Sequence, residues 1–243
     1  MTSEAIQEWI SAYRIKIELH AHTRPASECG KQTPHHLMAL LHKEGFDTVV
    51  LTNHFHVHGP FAKKPDPVGA YLEDYYACEE EAKRYGMTVI LGAEYRFAEN
   101  NNDYVVYGLD EAFLRETYPR LGMTYRQFYE TYHSPDLLIL QAHPFRDGCR
   151  CEETDHMDGL EVFNCHPGHN SRMAVAARVA RQRNLDLITV SSDQHEWGQE
   201  GICSLRAKTN PQNGAELVSL LRSKDYLFEI GGIPVLPYAR FED

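Results

Sequence analysis

Runs of apolar residues alternate with stretches of helical period along most of this chain. Seven short runs read as strands: 16–19, 48–51, 88–91, 104–107, 137–140, 159–163 and 187–190. Several are continuously apolar, as Thr48-Val49-Val50-Leu51 and Leu137-Leu138-Ile139-Leu140 nearly or wholly are. That is the pattern of strands buried on both faces. Helix candidates lie at 34–45, 71–85, 125–132, 170–184 and 213–223. The first has Thr33 as N-cap, Pro34 at the first helical position, Leu37, Leu40 and Leu41 inward, and Gly45 at its end. This alternation predicts a parallel sheet, and its strand number in a single domain over 1–243 predicts a distorted (β/α)7 TIM-like barrel. An open doubly wound sheet is the alternative. The segment 202–243 reads as a helix, a strand at 227–230 and a Pro-containing tail that close the barrel.

The polar residues favour the barrel. Strand after strand ends in a side chain able to bind a metal: His20-Ala21-His22, Thr52-Asn53-His54, Gly92-Ala93-Glu94, Gln141-Ala142-His143 and Ser192-Asp193-Gln194-His195. Barrel enzymes collect their chemistry at the C-terminal mouth from several strand ends. Residues i and i+2 of a strand point to one side, so His20 with His22, and Asp193 with His195, form two same-side pairs. Each pair can clamp one ion or bridge two. Burying this much imidazole and carboxylate without a cation would be costly.

Composition agrees. The 243 residues carry 35 acidic and 24 basic side chains, a formal charge of −11, which disfavours long nucleic acids and anionic membranes as partners. Fourteen histidines beside an acid excess suit divalent cations. The six cysteines form no C-x-x-C pair and read as mostly free thiols. No apolar stretch approaches the ~18 residues of a membrane span, and Met1-Thr2-Ser3-Glu4 lacks the character of a secretory leader, so a soluble cytoplasmic protein is expected. Nothing in the sequence reports on oligomeric state.

Taken in order from Lys16 to Gly201, His20-Ala21-His22-Thr23, Thr52-Asn53-His54, Glu94, Ala142-His143-Pro144 and Ser192-Asp193-Gln194-His195 resemble the motifs of the PHP (polymerase and histidinol phosphatase) superfamily. The segment Gly159-Leu160-Glu161-Val162-Phe163-Asn164 resembles the family's stretch before its Ser-Asp-x-His motif. The resemblance implies a phosphate-ester hydrolase with two or three divalent ions (Mn, Zn or Fe). It implies His20, His22, Glu94 and Asp193 around one ion, His54 and His195 on a second, and His143 with bridging Glu94 on a third. The chain departs from the family at three places. Asn53 stands where Asp is usual, Ser27-Glu28-Cys29-Gly30 replaces a loop that often brings an Asp or His, and Asp103 occupies the region of a histidine found in some members. Glu28 or Cys29 is able to serve as a ligand, a carboxylate favouring Mn or Mg and a thiolate Zn or Fe.

Clustered divalent ions lower the pKa of bound water and neutralise charge on phosphoryl oxygens. The expected reaction is therefore hydrolysis of a small phosphomonoester, of which histidinol phosphate is the family's best-known example. Asp193 and His195 are candidates to orient the attacking hydroxide or to supply the proton that the leaving alcohol needs. Arg24, Arg96 and Arg146 follow ligand motifs closely and are expected to bind the phosphate, Arg146 first among them. An amidohydrolase-type metal hydrolase and a metal-binding module without catalysis are the competing readings.

Overall fold

Thr33 caps the first expected helix as anticipated, accepting the backbone N–H of His36, with Pro34 at the first position. That helix belongs to a chain whose computed structural model describes residues 3–238. The elements run α1 (Ser3–Ala12), β1 (Ile15–Ala21), α2 (Pro34–Lys43), β2 (Thr48–Leu51), β3 (His54–Phe55), α3 (Pro67–Lys83) and β4 (Thr88–Leu91). Next come β5 (Ala93–Arg96), β6 (Asp103–Tyr107), α4 (Glu111–Thr117), α5 (Tyr125–Tyr132), β7 (Leu138–Gln141), β8 (Gly159–Asn164) and α6 (Met173–Gln182). The chain finishes with β9 (Leu187–Ser191), β10 (Cys203–Ala207), α7 (Gly214–Ser223), β11 (Tyr226–Ile230) and β12 (Ile233–Val235).

All seven expected strands are present, in two six-stranded sheets ordered β12-β11-β10-β1-β2-β4 and β3-β5-β6-β7-β8-β9. The sheets are halves of one surface. Strand β2 resumes as β3 after Thr52-Asn53, and β4 resumes as β5 after Gly92. The ladder survives the break through Gly92 N–H to Leu51 O (3.0 Å) and Glu94 N–H to Asn53 O (3.1 Å). At Gly92 a Cβ would stand 3.0 Å from both Thr52 Cγ2 and Val50 Cγ1, so the break passes where there is little room for a side chain.

On the far side, Gln194 lies just beyond β9 and bridges Ala21 of β1 in parallel. Its N–H donates to His20 O (3.0 Å), and His22 N–H donates to its carbonyl (2.8 Å). The succession β1, β2/β3, β4/β5, β6, β7, β8, β9 thereby returns to its start, the distorted seven-stranded TIM-like arrangement expected. The return is narrow, because residues 15–17 of β1 pair with antiparallel β10 instead.

Within the ring itself, one strand corrects the parallel-sheet expectation. Strand β6 runs antiparallel to both β5 and β7. Helices α1 and α4 and strands β3, β5, β10 and β12 had no counterpart in the sequence reading, and α3 begins earlier than expected, at Pro67 behind the N-cap Asp66. The last residues of the expected tail, 239–243, lie outside the described residues.

Inside the ring, Ile17, Leu19, Val50, Ile90, Val105, Leu138 and Leu140 form an apolar layer with Leu217, Val218 and Leu221 of α7. Helix α7 thus packs onto this layer at the end away from the mouth. Outside, α3 and α5 pack an aromatic shell that includes Phe55, Tyr71, Tyr95, Tyr104, Tyr125 and Phe128. Tyr125, Phe128 and Tyr129 of α5 are buried, whereas Tyr76 of α3 is exposed.

Candidate metal centre

Three local irregularities bring the polar side chains together. The register between β1 and β2 shifts between Glu18 and Ala21, so Leu19 joins the interior apolar layer while His20, its neighbour, joins the polar cluster above it. His143 and Asp193 both have positive φ, 29° and 53°. Such left-handed geometry is strained for a non-glycine residue and gathers at functional sites. The reversal of β6 does the rest: Asp103 starts that strand, yet lies at the mouth where the parallel strands end.

The donor atoms converge closely. His20 Nε2 lies 3.0 Å from His22 Nε2, 3.4 Å from Glu94 Oε1 and 3.3 Å from Asp193 Oδ1. His22 Nε2 lies 3.4 Å from Glu94 Oε2 and from Asp193 Oδ1. Glu94 is also 2.8 Å from His54 Nδ1 and 3.1 Å from His143 Nε2, while Asp103 Oδ2 is 3.7 Å from His143 Nε2. His20, His22 and Glu94 are fully buried.

The second nitrogens of three histidines are already committed. His20 Nδ1 faces Glu161 Oε1 at 2.8 Å, and a carboxylate only accepts, so Nδ1 carries the proton. His195 Nδ1 donates to the Asp193 carbonyl at 2.7 Å by the same logic. His22 Nδ1 donates to Ser27 Oγ (3.1 Å), whose own hydroxyl donates to Asn53 Oδ1 (2.9 Å). In the neutral rings each remaining Nε2 is then a lone pair, and those of His20 and His22 face one another at 3.0 Å. Fixing imidazoles through their outer nitrogen is how proteins aim metal ligands.

These residues fit a divalent cation. His54 Nδ1, Glu94 Oε2 and Asp193 Oδ1 are buried without a hydrogen-bond partner, despite near neighbours of suitable type. Short separations without hydrogen-bond angles are what lone pairs give when aimed at a common point. Three overlapping groups have the required spacing: His22, Cys29, His54 and His195; His20, His22 and Glu94; and His54, Glu94 and Asp103. Burial alone would favour the neutral acid, yet the His54 and His20 charges hold Glu94 well below the carboxylate range. His20 and Arg146 help to do the same for Asp193. Burial lowers His20, and Asp193, Glu94 and Glu161 overcome it to raise it well above the ordinary imidazole value. Beneath them, burial lifts Glu18 to about 7 although it accepts from Ser192 and His20 N.

The strand-end ligand candidates His20, His22, His54, Glu94, His143, Asp193 and His195 all reach this cluster; the loop candidates and the arginines divide. Arg146 Nη2 donates to Asp193 Oδ2 at 2.6 Å and to Asn164 Oδ1 at 2.9 Å. Arg96 is spent in a two-pronged pair with Asp103, both contacts 2.6 Å. Arg24 is exposed, and among the described residues its guanidinium makes no ion pair. Asn53 is not a failed ligand. Its carbonyl accepts from Thr23 N and Ser27 Oγ and its amide donates to Thr23 Oγ1, organising the loop after His22. Of the two loop candidates, Cys29 is the one that arrives, its Sγ 3.1 Å from His195 Nε2. Burial pushes its thiol pKa up, but hydrogen bonds from His195 and His54 bring it down to about 6.

Sequence reasoning assigned no role to Glu161 or Asn164. Their signal was the polar side chain within the apolar Leu160-Glu161-Val162 and the Asn at the end of that strand. At the rim, the His166 ring stands 5.3 Å from that of His195, and His56 stands 6.0 Å from His54. Burial brings the pKa of both outer histidines down to about 4, so they remain neutral imidazoles.

Residues 18–209 match the family described as the PHP domain, and the chain belongs to that family. Solved structures agree on the fold. A two-domain protein from Bacteroides vulgatus containing a predicted PHP-like metal-dependent phosphoesterase aligns with 89% of this chain, at 18% identity and TM-score 0.60. The aligned part is 64% of that protein's length. PsfC from Pseudomonas syringae aligns over 86% of this chain and 90% of its own, at 16% identity and TM-score 0.57. No match was found among curated proteins. Among the described residues, no helix is long and apolar enough to cross a membrane.

Proposed function

We propose that this chain hydrolyses a phosphate ester, preferably a small phosphomonoester, with divalent ions held by His20, His22, His54, Glu94, His143, Asp193 and His195. One observation carries the reading. Beside the donor cluster, Arg146 keeps a buried Nε that has no hydrogen-bond partner, while its Nη2 is fixed by Asp193 and Asn164. A buried N–H without an acceptor is costly, and a phosphoryl oxygen suits a guanidinium in both charge and shape.

When bound, manganese, zinc or iron would acidify water and offset the phosphoryl charge. The side chains supply the remainder. Arg146 orients the phosphoryl group against the cluster, Asp193 couples that arginine to the ligands, and His195 faces the open side. The acidic chain repels long polyanions, which keeps the substrate small. A module without catalysis is suggested by Asn53 and the altered Glu28-Cys29 loop; of these, Asn53 is occupied in organising the loop after His22.

The deciding experiment measures inorganic phosphate released from a panel of phosphomonoesters by Mn²⁺-reconstituted protein, with Asp193→Asn as control. Release should vanish in the control. Arg146→Ala should lower kcat/KM about 10- to 100-fold, the worth of one charged hydrogen bond. Metal content is assayed in the same samples, because Nη2 also braces Asp193. No release by protein that has bound its metal would overturn the proposal in favour of a non-catalytic module.

A further inference from the structure

Gln199 and His166 meet at the rim from different loops, one beyond β9 and the other beyond β8. Gln199 is 3% exposed, and its Oε1 accepts two backbone N–H groups, from His195 at 2.7 Å and Glu196 at 3.0 Å. Those donors belong to the main chain, so turning the amide over would set Nε2 against both. Nε2 is therefore a donor. On the other side, His166 Nδ1 accepts the Gly168 backbone N–H at 3.0 Å. A neutral imidazole carries one proton, and with Nδ1 accepting, that proton lies on Nε2. Yet His166 Nε2 stands 3.2 Å from Gln199 Nε2. Two donors are thus turned on one another, and only an acceptor beside the pair satisfies both.

The pair borders the proposed chemistry. The His166 N–H shares Asn164 Oδ1, at 3.3 Å, with Arg146 Nη2, at 2.9 Å. The His166 ring lies 5.3 Å from that of His195, and it is half-buried where His20, His22 and Glu94 are fully buried. A group held there lies outward of a phosphoryl group bound by Arg146, on the side of the alcohol. We propose that Gln199 Nε2 and His166 Nε2 form a subsite for a hydroxyl on the alcohol part of the ester, so that the chain selects hydroxylated alkyl phosphates over plain ones. A hydroxyl oxygen has two lone pairs, one for each donor. Both donors are uncharged and suit an uncharged oxygen, whereas the guanidinium of Arg146 suits the phosphoryl charge. The inference rests on the phosphoesterase reading and adds to it what the leaving alcohol carries.

Phosphonate analogues, which are not hydrolysed, test it by titration calorimetry on metal-loaded protein. The probes are 3,4-dihydroxybutylphosphonate and butylphosphonate, equal in charge and differing in two hydroxyls. Wild type should bind the diol about 10-fold more tightly, the worth of two net hydrogen bonds. Gln199→Glu keeps one oxygen for the two backbone N–H groups and turns the other on His166 Nε2–H. The preference should then fall to near one while circular dichroism stays native. His166→Phe keeps a ring in place without the donor and should reduce the preference likewise. No preference in wild type, or a preference that survives either substitution, overturns the proposal. An equal loss of inorganic-phosphate binding in His166→Phe also overturns it, because the donors would then serve the phosphoryl group. Protein that prefers the diol yet releases no phosphate from any ester keeps the subsite and sinks the phosphoesterase reading alone. Failure to bind either phosphonate sinks both.

Discussion

Glu161 works through both of its oxygens. One takes the His20 Nδ1 proton at 2.8 Å and the Ser191 hydroxyl, and the other takes the His143 backbone N–H and Asn164 Nδ2 at 2.9 and 2.8 Å. It therefore sets the tautomer of one ligand and the backbone position of another. Glu161→Gln would present an amide to groups that all need an acceptor. Metal affinity should fall about 10- to 100-fold, read by competition with a chelator while circular dichroism stays native; unchanged affinity would remove Glu161 from the positioning role. At this scale the ligands themselves were legible, because H-x-H and Asp-x-His spacing puts both side chains on one side of a strand. Their supports were not. Which oxygen faces which imidazole depends on register shifts and on the left-handed His143 and Asp193, and neither leaves a mark in residue type.

Among the elements, β6 differs most from expectation, and its reversal was encoded in a length. Only residues 97–102 separate β5 from β6. A parallel return needs a crossover of about a dozen residues or more, whereas an antiparallel one can use a short loop. Alternation of apolar residues gives a strand without its direction, so the pattern alone does not set Asp103 at the mouth, although the family resemblance marks it as standing in the region of a histidine. The other end of β6 meets α7. Gly108 has φ of 86°, a Cβ there would stand 2.2 Å from Asp136 O, and a Cβ on Gly214 would stand 3.0 Å from Gly108 Cα. Gly108→Ala should therefore cost about 2–4 kcal/mol, combining backbone strain with a collision against main chain. Chemical denaturation measures it, and a loss below about 1 kcal/mol would show that the turn relaxes. The terminal helix α1 escaped notice because it lies outside the strand–helix alternation that organised the reading.

For the whole molecule, strand count and barrel class were readable, since continuous apolar runs separated by helices leave few architectures. The weak place in the ring was not. Ligands reach the centre from both sides of the narrow return: His20 and His22 from β1, and Asp193 and His195 from the chain beyond β9. An ion bound only by the folded state at 100 times its dissociation constant adds about 2.7 kcal/mol, so chelation should lower Tm by about 5–10 °C. An unchanged Tm on removal of bound metal would refute this coupling. Hydrogen exchange locates the effect: the Gln194 and His22 amides, which carry the parallel bridge, should lose protection first, ahead of the β7–β8 pairing opposite. The metal would then be a clasp as well as a reagent. A cell that withdrew it would not be left with an empty cup awaiting refilling, but with a cup whose rim had come unfastened.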